Sequence, residues 1–166
     1  MSEPLEVLVE RYRGRGIFVD TNLLLLWFVG AFDQPMISRF KRTQQFVPED
    51  FQTIESFLAI FKTRVTSPHV LTEVSNLAKG MDYRAEAFFS EVFSPMVRSM
   101  SEENVASASL VDKADFGRFG LADSAIMALV KGKYLLLTDD FRLSQYFASI
   151  GGAALNFNHI RTAFWT

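Results

Sequence analysis

Gly16-Ile17-Phe18-Val19-Asp20-Thr21-Asn22-Leu23-Leu24-Leu25 is the stretch that decides the fold. Residues 16–19 are apolar and too few for a helix, so they read as a short buried strand. Three polar residues follow, then an apolar run over residues 23–32. That run is too short to span a bilayer. Its first part, residues 23–29, has no polar face and reads as a helix covered on all sides. A strand that passes through a polar turn straight into a helix is the opening of a βα unit.

Outward from this stretch the same alternation recurs. Residues 34–47 are irregular and hold Arg39, Lys41 and Arg42. Pro48 can start a helix, and Phe51, Ile54, Phe57, Leu58 and Phe61 recur at helical spacing through Lys62. Residues 64–67 read as a short strand. Ser67-Pro68 supplies an N-cap and a proline at the first helical position, for a helix to about Lys79 with Gly80 just past its end. Residues 83–100 carry a further helical pattern, which Pro95 is expected to kink or split. Residues 105–119 are ambiguous. Residues 121–131 read as a buried helix that stops near Gly132. Residues 134–138 read as a buried strand, residues 141–150 as a helix ending at Gly151-Gly152, and residues 153–157 as the last strand. The expected fold is therefore α/β, a mainly parallel central sheet with helices on both faces.

The composition bounds the rest. A chain of 166 residues suits one domain, here taken as 1–166. It is long enough to bury a core without disulfides, and 17 Phe make that core aromatic. There is no Cys, which removes a disulfide framework, a thiolate nucleophile and any Cys-based zinc site, and fits a reducing cytoplasm. The opening MSEPLEVLVERYRGRG has no apolar core followed by a small-residue cleavage site, so no signal peptide is expected. No membrane association is expected either. The net charge of −2 argues against a pure nucleic-acid binder, which gains its affinity by neutralising phosphates. It argues less against an enzyme that reaches phosphate through a metal ion.

Two of the buried strands run into aspartate: residues 17–19 into Asp20, and residues 135–138 into Asp139 and Asp140. In a parallel sheet these ends lie on one edge, where ligands bind. Glu73 lies early in the helix after the second strand, beside Val70 and Leu77. Asp123 is the one charge on an apolar helix, where burying it is expensive. Each acid has a structural use too. Asp20, Asp139 and Asp140 can cap helices, Asp123 can sit in a first helical turn, and Glu73 can be half-exposed. Gathered at one edge, however, carboxylates repel and raise each other's pKa, and a divalent cation relieves that repulsion. All-oxygen ligation with no Cys and little His suits Mg²⁺ or Mn²⁺ rather than Zn²⁺.

The segments GIFVDTNLLL, TSPHVLTEVSNL, FGLADSAIMALV and YLLLTDDFRL, in this order, resemble the PIN-domain family, and together they cover most of the chain. The resemblance implies a Rossmann-like sheet, an acidic pocket holding Mg²⁺ or Mn²⁺, and hydrolysis of RNA. It also implies, for many members, a toxin masked by an antitoxin partner, and homodimers are possible partners as well. Carried over, Asp20, Glu73, Asp123 and Asp140 match the family's catalytic acids, with Asp139 second to Asp140 as a metal ligand. Asn22 and Thr138 match the small polar residues that orient them. Asp20 and Asp123 are then the main ligands, Asp140 a ligand directly or through water, and Glu73 a ligand or the group that polarises the attacking water. One or two ions fit equally. The long segment 29–47 departs from the smallest toxins and puts the toxin role in doubt more than the chemistry.

His69, Lys41, Arg42 and Arg142 are candidates for RNA contact, set against the ordinary reading of such residues as solvated helix faces. Lys62 shares that reading, and His159 has no partner spacing. A haloacid-dehalogenase-type phosphatase needs a second Asp where Asn22 stands. A receiver domain places its acidic pair after the first strand, whereas Asp139-Asp140 come late. The remaining competitor is an inactive PIN-like scaffold that binds RNA or a protein.

Overall fold

The computed structural model describes residues 3–164. Residues 1–2 of the opening segment and residues 165–166 of the expected domain lie outside the described residues. Five strands form one parallel sheet: β1 (Ile17–Val19), β2 (Arg64–Thr66), β3 (Ser101–Glu102), β4 (Leu135–Thr138) and β5 (Ala154–Asn156). Their order across the sheet is β3-β2-β1-β4-β5, and every pair is parallel. The chain steps outward in one direction from β1 to β3, then returns to the other side of β1 for β4 and β5. The α/β, Rossmann-like expectation holds. β1 and β4 are the central pair, with Val19 opposite Leu137, and both strands are fully buried. Continuous apolar strands of this kind need a layer of helices on each face.

Those helices are α1 (Leu5–Tyr12), α2 (Thr21–Phe32), α3 (Met36–Arg39), α4 (Pro48–Leu58), α5 (Pro68–Ala78), α6 (Ala85–Phe88), α7 (Ser94–Ser99), α8 (Phe116–Val130), α9 (Phe141–Ser149) and α10 (Phe157–Phe164). α2 packs against α4 and α5, and α8 against α9. Right-handed crossovers on either side of β1 put these two groups on opposite faces. α2 is buried from Leu23 through Gly30, as its unbroken apolar run requires. It lies so close to α4 that a Cβ on Gly30 would stand 2.2 Å from the Phe51 ring. The phenylalanines join α2 to the helical stretch after α5. Phe28 meets Phe93 and Phe32 meets Phe88, both edge to face with centroids 5.8 and 5.7 Å apart, a favoured aromatic geometry.

Local chemistry accounts for the helix starts. Ser67 Oγ accepts the Val70 N–H, and Pro68 opens α5. Asp50 Oδ2 accepts the Val47 N–H at the start of α4, while its Oδ1 receives Arg161 Nε at 2.9 Å, tying α10 to α4. Asp50 is fully buried, so this ion pair is a structural clamp.

Several boundaries differ from the sequence reading. α2 begins at Thr21, not Leu23, because Asp20 itself caps it. Residues 85–99 stay helical past Pro95, because a π turn at Phe89–Phe93 takes up the change in hydrogen bonding ahead of the proline. α1 and α3 lie where no element is expected, and β3 is a two-residue strand with no apolar run to announce it. Phe157 opens α10 rather than ending β5. Among the described residues no helix is long and apolar enough to cross a membrane.

Candidate functional site

β1 and β4 neighbour each other, yet the chain leaves them in opposite directions across the sheet. The crevice outside the carboxyl ends of such a pair is the ligand-binding position of open α/β sheets. Asp20 ends β1 here and Thr138 ends β4. The Asp20 N–H donates to Leu137 O at 3.0 Å, which locks the two ends together.

Both oxygens of Asp20 are held. Oδ1 accepts the Thr21 N–H and Oδ2 accepts the Thr138 hydroxyl, each at 2.7 Å. Thr138 Oγ1 in turn accepts the Asp140 N–H at 3.0 Å. Thr21 then reaches across to α5, where its hydroxyl donates to Glu73 Oε2 at 3.0 Å. Asp20, Thr138, Asp140, Thr21 and Glu73 thus belong to one hydrogen-bonded chain drawn from β1, β4, α2 and α5. Thr138 has the orienting place expected of it. Thr21 is the residue the sequence reading passed over, and its only signal was its place beside Asp20.

Asp123 faces this group from α8. Gly120, at φ +85° and ψ 179°, breaks that helix, and the regular helix restarts at Leu121 with Asp123 in its first turn. Burial pushes Asp123 up to about 7, and the charges of Asp20, Asp140 and Glu73 push the same way, with Arg142 opposing. Burial likewise raises Asp20 to about 6. Its hydrogen bonds from Thr138 and Thr21 work against that rise, and the charges of Asp139 and Asp140 add to it. Asp123 therefore senses Asp20, Asp140 and Glu73, and Asp20 senses Asp139 and Asp140.

Of the last two acids, either of which could cap the following helix, one does. Asp139 is not the helix cap. Asp140 Oδ1 accepts the Leu143 N–H at 3.0 Å and caps α9. The strand ends at Thr138, and the turn closed by Asp140 N–H onto Thr138 Oγ1 leaves Asp140 directly ahead of Phe141. Asp139 is raised by burial and by Asp140, with the Asn22 amide opposing.

The proposed RNA contacts scatter. Arg142 lies over the Phe119 ring at 4.9 Å. Arg118 lies over Phe119 and Tyr146, both at 5.2 Å, and those two rings are tilted against each other with centroids 4.7 Å apart. This cationic and aromatic group borders the acids on the α8–α9 side, and only Arg142 of it was anticipated. His69 shares a cavity of about 350 Å³ with Glu73 and Leu121, and its Nδ1 is buried with no hydrogen-bond partner. Thr66 Oγ1, at the end of β2, is buried and unpartnered too. Lys41 and Arg42 are elsewhere, lining a separate cavity with residues from the far ends of α2 and α5.

The donor set fits a hard divalent cation: carboxylate oxygens only, several of them, with charge that Arg142 alone opposes at Asp123. Among the described residues no three acids stand close enough to form a ready-made cage. A cation such as Mg²⁺, which keeps several of its waters and needs only one or two carboxylates, suits that spacing. No family model matches the chain, and no curated protein or solved structure matches it significantly. Its chemistry has to be read from its own residues.

Proposed function

We propose that the chain is a Mg²⁺- or Mn²⁺-dependent ribonuclease of the PIN-domain kind, acting at the edge where Asp20, Glu73, Asp123 and Asp140 meet. The observation that carries this reading is Asp123, raised to about 7 by burial and by three other acids at the switch point of the sheet. Gathering uncompensated carboxylates costs a fold stability, and such clusters of perturbed acids concentrate at functional sites.

Asp20 and Asp123 would hold the ion, with Asp140 contributing directly or through water. When bound, a divalent ion supplies an activated water and offsets charge on the scissile phosphate. Thr138 and the Thr21 N–H keep the Asp20 carboxylate in one orientation, the usual task of groups behind a metal ligand. Glu73, held by Thr21, polarises the attacking water or binds alongside. Arg142 stands where a phosphate can take its charge, and the tilted Phe119–Tyr146 pair offers a neighbouring base an aromatic surface.

The test is cleavage of single-stranded RNA with Mn²⁺, with and without chelator. Cleavage that appears with Mn²⁺ and stops with chelator supports the reading. The competing reading is a scaffold that binds RNA without cutting it. That reading expects RNA to bind and remain intact at every Mn²⁺ concentration.

A further inference from the structure

A cluster of basic residues lies away from the acids. Asp20 and Ser67 begin α2 and α5 at the carboxyl edge of the sheet, and both helices run back toward the opposite edge. Their lengths put their far ends about 16–18 Å away. At those ends a cavity of about 570 Å³ opens between α3, the turn after it and the residues following α5. Arg39, Lys41, Arg42 and Arg84 line it, with one carboxylate, Asp33. Arg84 is already committed, donating to Asp33 Oδ2 at 2.9 Å and lying over the Phe32 ring at 4.7 Å. Arg39, Lys41 and Arg42 make no ion pair among the described residues. A chain of net charge −2 thus turns three unpaired cations into one cavity.

Helix C-termini favour cations, and that explains part of the charge. It does not explain Tyr83. This side chain also lines the cavity, yet it is 91% exposed. The neighbouring Asp82 takes a left-handed φ of 57°, a conformation that costs energy in a residue other than glycine. The ring is therefore presented to solvent, beside the cations, on a strained turn. Phosphate oxygens bind Arg and Lys, and bases stack on aromatic rings. A ligand that carries both a phosphate and a base satisfies both halves, and the cavity is of small-ligand size.

We propose that this cavity is a second binding site, distinct from the carboxylate cleft, which takes a nucleoside phosphate: the phosphate on Arg39, Lys41 and Arg42, the base against Tyr83. A free mononucleotide and the end of an RNA chain share this chemistry. Binding of AMP, of a short 5′-phosphorylated oligoadenylate and of inorganic phosphate is measured by calorimetry on the whole chain, in chelator so that no metal contributes. AMP or the oligoadenylate should bind, and which one does identifies the source. Tyr83→Ala should weaken that binding by about tenfold, and the double variant Lys41→Ala with Arg42→Ala should remove it. All three side chains are exposed, so the variants are expected to melt as the wild type does. Binding of neither nucleotide overturns the proposal. So does binding that persists in both variants, or binding that inorganic phosphate matches and Tyr83→Ala leaves unchanged.

Discussion

Thr138 links two of the acids, Asp20 and Asp140. Its hydroxyl donates to Asp20 and accepts from the Asp140 backbone, and it is fully buried. Thr138→Val keeps the shape and deletes both bonds. Stranding buried polar groups costs about 1–3 kcal/mol, so melting should fall and metal-dependent cleavage should fall with it. Cleavage unchanged in Thr138→Val would show that Asp20 needs no second anchor. Asp140 tests a separate point. Asp140→Ala removes the α9 cap, at a cost of about 0.5–2 kcal/mol, whereas Asp140→Ser retains a capping oxygen and removes the charge. The serine variant should melt close to wild type and cleave poorly. If serine and alanine melt alike, the cap contributes nothing. The residue types of this site were legible in the chain, because acids that end apolar runs stand out. The distribution of roles was not. Whether Asp139 or Asp140 caps α9 depends on where the chain leaves extended geometry, and nothing in Thr-Asp-Asp fixes that position.

Among the elements, α2 carries the heaviest constraint. Gly30 admits the Phe51 ring, and a methyl group there would overlap it at 2.2 Å. Gly30→Ala should cost about 1–3 kcal/mol by overpacking, read as a lowered denaturant midpoint with an unchanged slope. α10 is held otherwise. Arg161→Ala leaves Asp50 charged and fully buried, and breaking such a pair typically costs about 3–5 kcal/mol. A loss under one kcal/mol in urea unfolding would mean water reaches Asp50 once the arginine is gone. The two helices also differ in how readable they were. Apolar runs and a Ser-Pro start announce α2, α4, α5 and β4 plainly. α10 follows β5 with no intervening turn residue, and β3 has two residues whose pairing with β2 owes nothing to their own pattern. Elements defined by their neighbours leave little trace in sequence.

For the whole molecule, the gathered acids link stability to pH. Asp20 and Asp123 rise from 3.8 in the ordinary carboxylate to about 6 and about 7. A raised carboxyl contributes stability that is fully present below its unfolded pKa and is lost as pH rises through the folded one. Metal-free protein should therefore melt at a higher temperature near pH 5 than near pH 8, with the decline beginning near pH 4 and levelling off above about pH 7. Asp123→Asn should flatten that decline. A divalent ion that binds only the folded, ionised site adds stability by linkage and should restore melting at pH 8. A metal-free profile without slope in this window would mean that burial and neighbouring charge do not raise these two carboxyls. The claim that these acids form a hydrolytic metal site is tested most directly by RNA cleavage in matched preparations of wild type and Asp20→Asn, with Mn²⁺ and with chelator. Wild type should cleave with Mn²⁺ and not with chelator, and Asp20→Asn, folded to the same melting temperature or higher, should cleave in neither. Equal cleavage by both proteins, or cleavage by wild type that chelator leaves untouched, would contradict it.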